Sequence, residues 1–319
     1  MKKGFLICAF LTAVMIISPL LVMEKRPVQA ADSAAVEEEK TPDGYISVML
    51  TENGFVNRVT EREYVIGAVA AEMNISCHDE ALKAQAVACY TYALYCKMNG
   101  NSDELNGADI SDSSETHQGY LDNDARKEKW GDNYDKNEKK LEKIVDSVLG
   151  RKMTYNSEPI MAVYHDLNSG STQSAETVWG KDVAYLQPVQ SRGDTLSTEY
   201  CKTVVFTKEE FEKFAEKADG VTLSGDADSW LGKIKTNDSG YVETIELGGK
   251  KISGRDFRKA FSLRSCVFTA EYGKSGFTVT TYGNGHCVGM SQYGADYMAR
   301  QGSDWKEILK HYYVGIKIE

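Results

Sequence analysis

Hydrophobic and polar residues alternate along Ile46-Ser-Val-Met-Leu50, the period of a short half-buried strand. Thr60 precedes Glu63 by three residues at the head of an apolar stretch. That capping-box pattern predicts a helix through about Met73. Ser76 and Asp79 repeat the spacing and predict a second helix, rich in Ala and Tyr, through about Met98. Residues 101–150 hold 13 acidic residues against 7 basic ones, which predicts solvated loop and then a charged helix near Lys136–Leu149. Further on, three pairs of strand-like segments flank turn residues. They are Lys152–Tyr155 with Pro159–His165, Lys233–Lys235 with Val242–Leu247, and Cys266–Tyr272 with Phe277–Tyr282. Two short helices close the chain, one ending near Gly302 and one over Asp304–Tyr313. Hairpin-linked strands predict an α+β fold with antiparallel sheet, not a doubly wound α/β fold.

The start of the chain follows a different pattern. An apolar run from Phe5 to Met23 lies between Lys2-Lys3 and Glu24-Lys25-Arg26. It approaches the roughly 20 helical residues that span a bilayer and is long for the core of a cleavable signal. Residues 1–23 are therefore read as a single-pass membrane anchor, with a cleaved signal peptide as the alternative. Residues 24–44, with no apolar period and a Glu37-Glu38-Glu39 run, read as a tether. In either case the rest, residues 45–319, is placed outside the cytoplasm.

Composition narrows the classes. The 37 basic and 47 acidic residues leave a net charge of −10 with no basic cluster, which argues against nucleic acid as a partner. Of 7 cysteines, Cys8 falls in the anchor, and no Cys-x-x-Cys unit marks a zinc ribbon.

Among chemical groups, Glu72 stands out. Val65, Ala68, Val69 and position 72 follow the i, i+3, i+4, i+7 spacing of one helix face. If the helix persists, Glu72 projects from an apolar stripe, and burial would raise its pKa toward that of a neutral-pH general acid. If the helix frays first, the carboxyl sits in water. His117, His165 and His286 each lie among small polar residues, without the His-Glu-x-x-His spacing of a helical zinc site. Gly285-His-Cys-Val-Gly-Met-Ser-Gln-Tyr-Gly-Ala295 leads into a helix with Ser291 as N-cap, but lacks the Lys-Ser/Thr end of a P-loop.

In order along the chain, these segments resemble the stage II sporulation protein D family of membrane-anchored lytic transglycosylases. The segments that carry the resemblance are Glu63-Tyr-Val-Ile-Gly-Ala-Val-Ala-Ala-Glu-Met73, Ala81-Leu-Lys-Ala-Gln-Ala-Val-Ala88, His117-Gln118-x-Tyr120, Tyr164-His165, Val178-Trp179-Gly180, Gly254-Arg-x-Phe-Arg258, Leu263-Arg-Ser265, Gly289-Met-Ser-Gln-Tyr-Gly-Ala295 and His311-Tyr-Tyr313. The resemblance implies one extracytoplasmic domain with its helix pair and hairpins around a glycan-binding groove. It also implies Glu72 as the catalytic residue, with Gln85, His117, Gln118, Tyr120, His165, His286, Ser291 and Gln292 toward the substrate. The implied reaction cleaves the MurNAc–GlcNAc bond of glycan strands stripped of stem peptides and leaves a 1,6-anhydro sugar. Partners implied are a peptidoglycan amidase and a polytopic membrane protein that act with it during forespore engulfment.

The chain departs from the family pattern at Asn74, Tyr90, Asp166-Leu-Asn-Ser169 and Cys287, where Pro, Arg, a Ser/Gly-rich run and Gly are usual. Some relatives are described as holding zinc through Cys and His. By that resemblance His117 could take one such position, but no convincing Cys partner stands beside it, so no cofactor is required and zinc is left open without being predicted. Two other classes stay open: a glycan-binding scaffold without activity, and a thiol hydrolase using Cys287 or Cys77.

Overall fold

At the first strand Ile46 and Val48 are fully buried as the alternation predicts, but Ser47 between them is buried as well. This strand, β1 (Tyr45–Met49), pairs antiparallel with β2 (Val56–Thr60). Thr60 ends β2 and caps α1 (Glu61–Glu72), its hydroxyl accepting the Glu63 amide at 3.2 Å. A lost N-cap typically costs about 1 kcal/mol, so Thr60→Ala should lower the denaturant midpoint by a corresponding amount without changing the slope. The computed structural model describes residues 44–100 and 102–319. The predicted anchor 1–23 and all but the last residue of the tether lie outside the described residues. Among the described residues, no helix is long and apolar enough to cross a membrane.

The second helix, α2 (Asp79–Asn99), is capped by His78 and not by Ser76. The side chain of Asn74 accepts the Ser76 amide at 2.9 Å, which holds Ser76 in a turn. His78 Nδ1 then accepts the Glu80 amide at 3.3 Å. A short strand, β3 (Ile110–Ser111), lies parallel to β1. Within the acidic stretch, α4 (Tyr134–Val148) fits the predicted charged helix, but α3 (Asn123–Trp130) precedes it where loop was expected. No apolar stripe announces α3, because the residue it buries is Arg126.

The hairpin of β4 (Met153–Tyr155) and β5 (Glu158–Pro159) turns through Asn156 and Ser157, both at positive φ. It was expected to continue to His165. Instead the chain leaves it after Pro159, and β6 (Tyr164–His165) lies parallel to the strand Met290–Ser291. That change of partner carries His165 to the C-terminal half.

The next elements are α5 (Ala175–Trp179), β7 (Cys201–Phe206), α6 (Lys208–Ala215), β8 (Leu231–Thr236), β9 (Val242–Leu247), β10 (Lys250–Ser253), α7 (Gly254–Ala260), β11 (Phe268–Gly273) and β12 (Gly276–Tyr282). Two antiparallel sheets result, β10-β9-β8 and β11-β12-β7. The predicted hairpins β8–β9 and β11–β12 are both present. Phe206, Phe211, Phe257, Phe261, Phe277 and Trp230 pack between these elements as one aromatic core. A larger core joins α1, α2 and α4 to the last elements: β13 (Met290–Ser291), α8 (Gln292–Arg300), α9 (Trp305–Tyr312) and β14 (Lys317–Ile318). The architecture is mixed helix and strand in several small sheets. It departs from an all-antiparallel plan in the short parallel pairs β1–β3 and β6–β13.

Candidate active site

Helix α1 runs to Glu72, so the carboxyl does not fall on a frayed end. Tyr64 to Ala70 are all buried, which makes α1 enclosed on every side and not a stripe on one face. Beyond this buried stretch the helix reaches partly open space again in its last turn, and Glu72 is there. It lines a cavity of about 800 Å³ together with His117, Gln118, Tyr164, His165, Asp166, Trp179, Arg258, His286 and Gln292.

Burial disfavours the charged carboxylate and raises the Glu72 pKa above its ordinary value. Three groups oppose that effect: the Gly119 amide, which donates to Oε1, the Tyr164 hydroxyl, and the charge of Lys129. The net effect is a raised pKa, while two donors stand ready to receive the anion. Tyr164 has one proton and two acceptors. Its hydroxyl donates to Gln118 Oε1 at 3.0 Å and also lies beside Glu72. Gln118 in turn donates to the Tyr64 hydroxyl and to the Cys89 carbonyl at 3.0 Å, which fixes its amide orientation.

The histidines of the cavity are neutral groups. His165 is buried, and desolvation pushes its pKa down to about 3. Its Nδ1 bonds the Val288 carbonyl at 3.1 Å and its Nε2 the Asn168 amide at 3.3 Å. Burial likewise lowers His286 to about 4, and its Nδ1 accepts the Val288 amide at 3.0 Å. The two rings lie 5.7 Å apart, with Trp179 5.3 Å from His286 on another side. His117 is also shifted down by desolvation, and its Nδ1 meets the Ser111 hydroxyl at 2.8 Å. Gly285 permits this assembly, because a Cβ there would lie 2.8 Å from His165 Cβ and its φ is +110°.

Three candidates from the sequence stand outside the cavity wall. Gln85 is fully buried on α2 and accepts from Gln292 at 3.4 Å, which supports the side chain that does reach the wall. Tyr120 stacks on Tyr64 with ring centroids 5.8 Å apart. Ser291 caps α8, accepting the Gly294 amide at 3.0 Å, and donates to the buried Asp194 carboxylate. Conversely, Tyr164, Arg258 and Asp166 line the cavity without having been singled out. Tyr164 and Arg258 lay inside segments that the resemblance quoted, but period alone reads both as ordinary element residues. The Gly119 amide is a backbone donor, which no side-chain pattern reveals.

Among the described residues, no cluster of three or more His, Cys, Asp or Glu side chains is placed to hold a metal. Both ring nitrogens of His165 are engaged, by the Val288 carbonyl and the Asn168 amide, so His165 has none left for a metal. Cys287 adopts φ +65°, which explains why glycine suits that position. It is buried with its thiol pushed up to about 12, and Cys77 is pushed up to about 11. Neither is a thiolate near neutral pH, as a thiol nucleophile would need to be.

The profile of the Stage II sporulation protein family matches residues 51–155, the span that holds Glu72 and His117. The chain is 34% identical to stage II sporulation protein D of Bacillus amyloliquefaciens, over 98% of this chain and 94% of that one. It belongs to the stage II sporulation protein D family. The Bacillus subtilis (strain 168) protein of the same name is also 34% identical, over 100% of this chain and 96% of its own length. The amidase enhancer of Bacillus subtilis (strain 168) is 25% identical, over 78% of this chain and 39% of that protein. Membership in this family makes the chain a sporulation protein.

Proposed function

We infer that the chain is a peptidoglycan lytic transglycosylase acting in sporulation. The observation that supports this reading is Glu72: a largely buried carboxyl, held toward its acid form, in a cavity walled by Trp179, neutral histidines and amide side chains. Protonated Glu72 donates to the oxygen linking MurNAc to GlcNAc, and the C1–O bond breaks. The resulting carboxylate, received by the Gly119 amide and the Tyr164 hydroxyl, takes the proton from the C6 hydroxyl. That oxygen closes on C1 as a 1,6-anhydro ring, and Glu72 is an acid again. One carboxyl serves both steps because the sugar supplies its own nucleophile, whereas glycoside hydrolysis ordinarily takes two.

The apolar run 5–23 would hold the enzyme at the outer face of the membrane, close to its polymer. The relative named as an amidase enhancer supports a setting at the cell wall and a peptidoglycan amidase as working partner. An amidase would supply the stripped glycan, and a polytopic membrane protein would complete the engulfment assembly.

Incubating the full-length protein in detergent with peptide-free glycan strands tests for catalysis. Release of short soluble fragments is expected; binding without release would favour a scaffold. Tyr164→Phe should lower kcat about tenfold. Because the Tyr164 hydroxyl lowers the Glu72 pKa, its loss should also move the alkaline limb of the pH–rate profile upward. A limb that stays in place would mean Tyr164 does not address Glu72.

A further inference from the structure

Beyond Trp179 a second cavity of about 610 Å³ opens. Its walls are the end of α5 with Thr177 and Trp179, the start of β9 with Tyr241 and Glu243, and Arg255 and Asp256 at the start of α7. Trp179 lines this cavity and the one that holds Glu72, so the two are joined across one indole. Either volume falls within the range of pockets that enclose a ligand of drug size, which is about that of a disaccharide.

The polar groups of the second cavity are held in place. Arg255 Nη1 donates to the Val178 carbonyl at 2.9 Å, which fixes the guanidinium against α5. Asp256 accepts the Ser253 hydroxyl at 2.6 Å, and Glu243 pairs with Lys235 at 2.5 Å. One cation and two carboxylates give this wall no net positive charge, so an anion is not its natural ligand. Donors and acceptors beside an aromatic face suit the hydroxyl and acetamido groups of a neutral sugar, whose C–H face packs on the ring.

We propose that the second cavity is an accessory subsite for sugar units of the same glycan strand, which runs from Glu72 across Trp179 to Arg255. This rests on the glycan reading above. The enzyme would then bind long strands better than short ones, and Arg255 and Glu243 would set that preference away from the reacting bond.

Binding is measured on the full-length Glu72→Gln chain, which separates affinity from turnover. The probes are peptide-free GlcNAc–MurNAc tetrasaccharide and octasaccharide, followed by calorimetry. The octasaccharide should bind about tenfold more tightly, about 1.4 kcal/mol. Adding Arg255→Ala should bring its affinity down to that of the tetrasaccharide, whose own affinity stays within about twofold. Glu243→Ala, which removes only a surface pair of little worth to stability, should act in the same direction if Arg255→Ala perturbs α5. Equal affinity of the parent for both lengths, no binding of either, or parallel loss of both in the variants would overturn the subsite. Cleavage of the tetrasaccharide by the unsubstituted chain reports separately on Glu72.

Discussion

Glu72→Gln should reduce glycan cleavage by about a thousandfold or more while glycan affinity changes little. General acid–base catalysis is typically worth about 10²–10⁴ in rate, and here one carboxyl is asked to serve twice. The amide keeps the shape and still accepts the Gly119 N–H, so lost binding would point to a folding defect instead. The pH dependence follows from the raised pKa of Glu72. Activity requires the acid form and should fall as pH rises through that pKa. His165, at about 3, and His286, at about 4, are already neutral over this range and contribute no limb.

Linkage gives the same residue a stability signature. A carboxyl with a raised folded pKa binds its proton more tightly when folded, so its favourable term is complete below the unfolded pKa. That term is lost as pH rises through the folded pKa. Above that window the native state holds a desolvated anion. Glu72→Gln should therefore be more stable than the parent at neutral pH and not at acid pH. Equal unfolding midpoints for both proteins across this range would mean that Glu72 is not desolvated.

Arg126→Ala should be among the most destabilising substitutions, at about 3–5 kcal/mol, the usual cost of removing one partner from a buried ion pair. The Arg126 side chain is fully buried, 2.9 Å from Glu63 and 2.8 Å from Glu138. It also donates to the Leu121 carbonyl at 2.9 Å. Leu121 bonds back to the Gly67 carbonyl at 3.2 Å, which pins the segment bearing Gly119 against α1. The variant should thus lose activity along with stability. Replacing Arg126 and Glu138 together with Leu should recover part of the stability, since apolar replacement of a buried pair is often neutral or better. Guanidinium unfolding measures both; a loss below about 1 kcal/mol would show the pair to be dispensable.

The sequence made some parts of this molecule legible and hid others. Turn chemistry located the hairpins at Asn156-Ser157, Asn237–Gly240 and Gly273–Gly276, because positive-φ turn residues are local signals. Helix α3 escaped because its inward residue is Arg126, which a hydrophobic period cannot register. The strand change after Pro159 escaped because its partner lies more than a hundred residues away at Met290–Ser291. At the site, helical spacing pointed to Glu72 for a partly mistaken reason: Tyr64–Ala70 of α1 is buried on every face, and the exit into the cavity is what distinguishes position 72. Stacking and capping explain why Tyr120 and Ser291 sit in recognisable segments yet stand outside the cavity wall.

Elimination and hydrolysis differ in where the new oxygen at C1 originates. Cleavage of peptide-free glycan by the full-length protein in heavy-oxygen water, with mass spectrometry of the fragment ends, reads that origin directly. Ring closure by the C6 hydroxyl predicts 1,6-anhydro ends that carry no heavy oxygen and their absence with Glu72→Gln. One heavy oxygen on each new reducing end would contradict it.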